Sequence, residues 1–468
     1  MMDETTAYDA IVVGAGMAGL AAAGTLVEEG RSVLVVERFD GDGGSTAMSG
    51  GWFAFSGTEE QERDGVSDDA DTFVEDMRST GGGRTDERLL RAYVERQDDA
   101  YRWLKSLGAH FGIVKISSGQ SRARSHHVDI HGLTHLLRER IEGNEGGRML
   151  SHSRARSLLV EDGRVAGVEV DTPEGTREFQ ARGGVILATG GFSRSSDLLE
   201  RFAPEQLAGI PYGGRGCEGD GLVMAWRQGA GFRDLGYVAG TFGSHPLTGD
   251  EEHELLTAFY MGAIIVNLHG RRFTDESASY KTLGARALEQ PEGLGFEIFD
   301  SIVRAKSLPG VPLNDIDHLE QKGRLFTADT LEELADLAGI DSDGLVQQVA
   351  AYNEAIASGD PDEFGRRGLV GDVGELVPVQ HPPFYAYPAK TLMTSTYAGL
   401  TVTPSARVLR VDGSEIEGLW AAGELVGGFH GTAYLTGTAL AKALIFGRAA
   451  AQDLVEALAL PATVTVAS

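Results

Sequence analysis

Glycine-rich turns carry much of the chemistry that can be read in this chain. The first is Gly14-Ala15-Gly16-Met17-Ala18-Gly19, with Glu37-Arg38 about 20 residues on. Gly14 permits a tight turn, Gly16 lets backbone approach a pyrophosphate, and Gly19 lets a helix pack close to a strand. The first-turn N–H groups, Met17 and Ala18 among them, face such an anion, and Glu37 at a strand end suits a ribose diol. A second segment follows at once: Gly43-Gly44-Ser45-Thr46, then Ser49-Gly50-Gly51. A nicotinamide unit does not need it, whereas a bulky isoalloxazine must lie against bare backbone. Ala188-Thr189-Gly190-Gly191 and Ala421-Ala422-Gly423-Glu424 repeat the theme. Together these segments predict FAD rather than NAD.

The elements that must position these residues are legible around them. Tyr8 to Val13 is a β-branched run entering the first turn, Leu20 to Glu29 reads as a helix closed by Gly30, and Val33 to Glu37 reads as a second strand. Val185 to Leu187 and Leu419 to Ala421 are buried-type strands leading into the later turns. Leu331 to Leu337 and Gly344 to Ala357 have the spacing of amphipathic helices.

The chain has 468 residues, enough for two or three domains, and its 64 glycines are about twice the ordinary share. A net charge of −28 argues against a nucleic-acid partner. Cys217 is the single cysteine, which excludes an intrachain disulfide, a CxxCH haem site and a cysteine-held iron–sulfur cluster, and it reads as a small buried residue. No apolar run reaches the roughly 18 residues of a membrane span, and the acidic Met1-Met2-Asp3-Glu4 lacks a signal peptide's basic region. The expectation is a cytoplasmic protein without a membrane span. Adjacent His126 and His127 do not make a metal site. Ser121 to His127, with His131, reads as a solvated basic loop, or else as the rim of a substrate mouth. Trp52 and Phe53 either wall the flavin or pack.

In type and order these segments resemble the FAD-dependent fumarate reductase and succinate dehydrogenase flavoprotein superfamily across nearly the whole chain. The resemblance implies an α/β fold: a Rossmann-like FAD-binding domain of glutathione-reductase type, residues 1–237 and 396–468, interrupted by an α+β capping domain at 238–395 that bounds the substrate. Relatives attach the flavin through a histidine near residue 45. Ser45 stands there in this chain, so FAD is expected to be held non-covalently. Glu424 resembles the family's ribityl-binding acid, and Ala439 and Leu440 fall in the last cofactor segment.

The cap segment Gly262-Ala263-Ile264-Ile265-Val266-Asn267-Leu268-His269-Gly270-Arg271-Arg272-Phe273-Thr274-Asp275-Glu276-Ser277-Ala278-Ser279-Tyr280 resembles the superfamily's own. Fumarate reductases, however, place a proton-donating arginine where Tyr280 stands. Tyr434, in Gly431-Thr432-Ala433-Tyr434-Leu435-Thr436-Gly437-Thr438, likewise replaces an arginine that clamps a carboxylate. The acid and arginine expected before Gly262 and the histidine expected before Gly399 are missing. His245 is the retained polar substrate contact. Both tyrosines resemble the 3-ketosteroid dehydrogenase branch, as does Asp275-Glu276-Ser277-x-x-Tyr280.

That branch implies desaturation beside the carbonyl of a neutral cyclic ketone, 3-ketosteroids included. Tyr280 takes the α-proton, the β-hydride goes to flavin N5, and Tyr434 holds the carbonyl oxygen together with Thr436 or backbone N–H groups near Thr438. A phenol of pKa about 10 is a weak base at neutral pH, so Tyr280 needs a relay or a lowered pKa. Donors aimed at a developing oxyanion are worth about 3–4 kcal/mol each. An external acceptor such as a quinone would take the electrons, since no second nucleotide fingerprint is present. The alternatives are an ene or fumarate-type reductase running the chemistry backward, and a non-catalytic flavin-binding partner.

Overall fold

A computed structural model describes residues 7–40, 44–249, 254–311 and 313–459. Gly43 and the acidic first residues of the sequence reading lie outside these. Ala7–Val13, Val33–Val36 and the last five residues of Gly175–Leu187 are almost wholly buried apolar runs, as strands of a parallel sheet covered on both faces must be. They pair in parallel, and Glu415–Ala421 and Gly147–Leu150 extend the sheet in parallel on either side. An antiparallel hairpin, Arg154–Glu161 with Arg164–Thr172, joins through the first half of Gly175–Leu187, and Arg407–Leu409 closes the far edge of an eight-stranded sheet.

Two helices seal this sheet's nucleotide end. Met17–Glu28 is buried along all but its last residue. Its partner Thr438–Ala459 is buried over most of its first fourteen residues. Gly447 permits their contact, because a Cβ there would meet the Ala18 carbonyl oxygen at 2.3 Å. Glu29 follows the first helix and Gly30 turns the chain at a φ of +70°.

The chain divides into two compact units: residues 1–203, 213–238 and 395–468, and residues 204–212 and 239–394. Segment 204–212, which the sequence reading assigned to the first domain, belongs to the second unit because Ile210–Pro211 pairs in parallel with Leu392 and Met393. The second unit is built on a six-stranded sheet in which the long strand Phe384–Thr396 pairs with Leu294–Asp300, which in turn pairs with Ile264–Val266. The helices read from spacing are present as Leu331–Ala338 and Ser342–Ser358. Both are capped by an N-terminal Thr or Asp side chain and stopped by a left-handed glycine, Gly339 and Gly359. Among the described residues no helix is long and apolar enough to cross a membrane.

Candidate active site

In the first unit the turn at Gly14 is a crowded crossing. Its φ is +104°, and a Cβ there would meet the Ala188 carbonyl oxygen at 2.4 Å, while one at Gly19 would meet the Gly14 oxygen at 1.8 Å. Gly16 caps the first helix without a side-chain acceptor, which leaves N–H groups at a helix end for an anion. The Met17 N–H donates to Thr46 Oγ1 at 3.0 Å, joining the first two glycine segments. Glu37 accepts the Ala15 N–H at 2.7 Å and the Phe39 N–H at 2.9 Å, so its carboxylate is fixed beside the turn. Arg38 is engaged by Glu218 at 2.7 and 3.1 Å.

The flavin-type segments converge on Glu424. This side chain keeps part of its surface open, accepts the Thr396 N–H at 2.9 Å and the Ser45 hydroxyl at 3.2 Å, and has its carboxyl pKa raised by desolvation, against the Thr396 N–H and Lys442. Gly191 must lack a side chain here, since a Cβ would lie 2.1 Å from Thr396 Oγ1 and 2.4 Å from Glu424 Oε1. Gly190 turns at +77°, and the Thr189 hydroxyl beside it is buried with no hydrogen-bond partner among the described residues. Ser49 closes the second segment by donating to the Thr46 carbonyl at 2.7 Å, and Gly51, next to Gly50, packs under the Val128 carbonyl, while Gly44 precedes Ser45. Cys217 is buried 3.4 Å from Ser45, and its thiol is pushed up to about 12 by desolvation and then by Glu424. Ala439 is exposed in the first turn of the helix, next to buried Leu440. A bare helix end, a bonded carboxylate at a strand end, an orphan hydroxyl and glycines that admit no Cβ fit a dinucleotide carrying a flat ring system.

Tyr434 and Thr436 lie on the loop before the Thr438–Ala459 helix, which Thr438 begins. Its preceding stretch is anchored three ways: the Asp86 N–H donates to the Gly428 carbonyl at 2.6 Å, the Gly428 N–H to Asp234 at 2.7 Å, and buried Lys442 to the Val426 carbonyl at 3.1 Å. Thr436 is held by its N–H on the Ser118 carbonyl and by Gln120 on its own carbonyl. The expected substrate contact by Thr438 is corrected: its hydroxyl and N–H both donate to the Leu435 carbonyl, at 2.6 and 3.1 Å, so it closes the helix end. Two neighbours of Tyr434 escaped the sequence reading. Rings of Tyr397 and His430 lie 6.3 and 5.8 Å from it, and burial holds the Tyr397 phenol well above its ordinary range. Tyr397 sits in a segment noted only for lacking a histidine, and no local pattern marks it.

The solvated basic loop is overturned in part: Ser121 and Arg122 are exposed, but Arg124 and His126 are fully buried. Arg124 bonds Asp68 at 2.6 Å through two nitrogens and pairs with Asp76, while His126 bridges the Thr58 hydroxyl and the Arg124 carbonyl at 2.7 Å each. Phe53 is buried beside Phe55 and Phe111, whereas Trp52 lies partly open against His127 and Lys115.

In the second unit the Arg-Phe-x-Asp-Glu segment is an internal lock. Glu276, without exposed surface, receives Arg272 at 2.8 and 2.6 Å, Arg366 at 3.2 Å and the Ile265 N–H at 3.0 Å. Arg272 also pairs with Asp362 at 2.7 Å, and Arg366 donates to the Phe259 and Ala263 carbonyls. Three residues beyond the lock, Ser279 caps the helix Tyr280–Leu288. The Tyr280 N–H donates to the Tyr260 hydroxyl, which donates to the Ala278 carbonyl, both at 2.9 Å. Burial raises the Tyr280 phenol above its ordinary pKa. His245, nearly buried, ends the strand Val238–Ser244. The structure therefore groups the cofactor residues, Tyr434 and Thr436 in one unit, and Tyr280 and His245 in the other.

A nucleotide-binding α/β unit with a flavin-type cradle defines a flavoprotein, and comparison with known proteins agrees. Residues 9–440 match the FAD binding domain family, and the chain belongs to it. It is an FAD-dependent oxidoreductase of the fumarate reductase and succinate dehydrogenase flavoprotein superfamily. It is 31% identical over 96% of its length to the probable fumarate reductase Ifc3 of Shewanella frigidimarina, covering 75% of that protein. It is likewise 31% identical to a urocanate reductase of Eggerthella lenta, with 95% of this chain and 74% of that one covered. The chain spans only 47% of an NADH:fumarate oxidoreductase of Klebsiella pneumoniae, to which it is 30% identical over 94% of its own length. Among solved structures, the open conformation of a flavocytochrome c3 fumarate reductase superposes with a TM-score of 0.83 at 28% identity, covering 98% of this chain and 80% of that one. The 3-ketosteroid delta1-dehydrogenase of Sterolibacterium denitrificans shares the fold at a TM-score of 0.83 and 22% identity, over 97% and 100% of the two chains.

Proposed function

We propose that this flavoprotein reduces a carbon–carbon double bond conjugated to a neutral carbonyl group, with cyclic enones of up to steroid size as the substrate class. The observation that carries this is Tyr280: a phenol begins the helix that follows the Arg272–Glu276 lock, and burial keeps it protonated. Arg272 and Arg366 are consumed by Glu276 and Asp362 and cannot clamp a diacid. A protonated phenol is a proton donor at neutral pH rather than a base. Sequence relatives named as reductases support the same direction.

In this reading the first unit holds FAD without a covalent link, Ser45 being tied to Glu424 and Gly214. Gly14, Gly16, Gly19 and Glu37 hold the pyrophosphate and ribose, and Glu424 and Thr189 the ribityl chain. Bound FAD supplies hydride exchange at N5. Tyr280 delivers a proton to the α-carbon. Tyr434, with Thr436, donates to the carbonyl oxygen where enolate charge gathers, and His245 orients the substrate. An external electron carrier, a quinone or a similar molecule, completes the cycle.

The reverse reaction, desaturation of a saturated cyclic ketone, is the second reading, favoured by the Asp275-Glu276-Ser277-x-x-Tyr280 pattern. An anaerobic flavin assay separates the two. Dithionite-reduced enzyme reoxidised by cyclic enones but not by fumarate supports the reductase, and oxidised enzyme bleached by saturated ketones supports the desaturase. Reoxidation by fumarate alone would refute a neutral substrate.

A further inference from the structure

His245 opens a turn, His245-Pro246-Leu247-Thr248, closed by the Thr248 N–H on the His245 carbonyl at 2.9 Å. Proline in the second position presets such a turn. Within it the Leu247 N–H donates back to the imidazole Nδ1 at 3.1 Å. A ring nitrogen that accepts carries no proton, so the neutral ring bears its hydrogen on Nε2.

The turn is held from outside by one guanidinium. Arg324 donates to the Leu247 carbonyl at 3.2 Å and to Glu254 at 2.9 Å, and Lys322 takes the other Glu254 oxygen at 2.9 Å. The Ser244 hydroxyl donates to the Glu254 carbonyl at 2.9 Å and lies 3.2 Å from the Thr248 hydroxyl, which ties the turn to the Glu254 segment. Among the described residues the charged and titratable groups around the ring are Glu254, Lys322, Arg324 and Tyr387, whose ring lies 5.5 Å away. Burial first, and then Arg324, pushes the imidazole down to about 4, with Glu254 opposing.

We propose that Arg324 is a positioning residue which, through the Leu247 turn, fixes His245 as a neutral Nε2–H donor toward the substrate. The Leu247 N–H occupies Nδ1, so Nε2–H is the one polar group the neutral ring has left to offer, and a turn that loosened would free the ring to exchange tautomers. The use of that donor on substrate rests on the proposed function, but the tautomer does not.

The test uses the full chain with FAD and ¹⁵N-labelled histidine. Two-bond ¹H–¹⁵N spectra report tautomer and charge, with the His245 signal identified by its loss in His245→Gln. The expected native pattern is Nε2–H, unchanged from pH 8 to 5.5. In Arg324→Gln the signal moves toward mixed tautomers, and kcat/KM for a cyclic enone falls about tenfold, the worth of one well-made hydrogen bond, with flavin content unchanged. Arg324→Lys, which keeps a cation on Glu254, gives an intermediate spectrum and decides the matter if Arg324→Gln does not fold. An Nδ1–H or charged His245 at pH 7, or a spectrum indifferent to both substitutions, overturns the proposal. The expected spectra without turnover of any enone uphold Arg324's role and refute the reading of the substrate.

Discussion

Glu297 offers a measurable test of how the second unit is held together. It lies on Leu294–Asp300 directly opposite Tyr387 in the sheet register and has no exposed surface. One carboxyl oxygen accepts the Ala258 N–H at 2.8 Å, and the other has no hydrogen-bond partner among the described residues. Burial raises its pKa well above 4.5, only partly opposed by the N–H groups of Ala258 and Phe259. The folded protein thus keeps a proton that the unfolded chain releases above about pH 4.5, the unfolded state binds fewer protons, and stability falls as pH rises through this window. The slope is about 1.4 kcal/mol per pH unit for one proton, which sets an upper bound of roughly 2.7 kcal/mol between pH 5 and 7. Glu297→Gln keeps the shape and the acceptor but does not titrate. Urea unfolding of native and variant protein at the two pH values should show the variant gaining up to that much relative to native as pH rises, with unchanged m-values. Parallel stability curves, or a native protein that gains on the variant above pH 5, would refute a neutral buried acid.

Further predictions concern the site and its supports. Tyr280→Phe should lower kcat by about 10²- to 10³-fold with undiminished flavin content, read in single-turnover reoxidation of the reduced enzyme. Gly191→Ala should abolish FAD retention on gel filtration, because its Cβ would overlap Thr396 and Glu424. Arg272→Met strands Glu276 and Asp362 with one buried cation fewer and should cost about 3–5 kcal/mol in urea unfolding.

The cofactor side was legible because its determinants are local. A glycine that must turn at positive φ or admit a crossing backbone, as at Gly14 and Gly190, leaves its mark within a few residues of the strand it ends. Helix caps at Thr330 and Asp341 are local for the same reason. What stayed hidden depends on partners distant in sequence. Arg124 reads as solvent-facing among serines and histidines until Asp68 and Asp76 bury it. Thr438 reads as a substrate contact until its hydroxyl turns back to Leu435. Segment 204–212 changes unit through a two-residue pairing too short to show a strand pattern.

The Arg272–Glu276 segment separates what holds the second unit together from what residue 280 can contribute. The buried ion network fixes Glu276 to three elements: Arg272 four residues earlier, the strand at Ile265, and Arg366, which itself grips Phe259 and Ala263. None of these bonds involves the side chain of residue 280, and only the backbone N–H of that residue is used, on Tyr260. The lock therefore determines where the helix begins, while the Tyr280 ring packs against this unit's apolar core and its hydroxyl takes no part in the lock. Removing the Tyr280 hydroxyl should accordingly leave stability within about 0.5 kcal/mol of native while turnover collapses. A comparable loss in both would mean that residue 280 belongs to the lock and not to the chemistry.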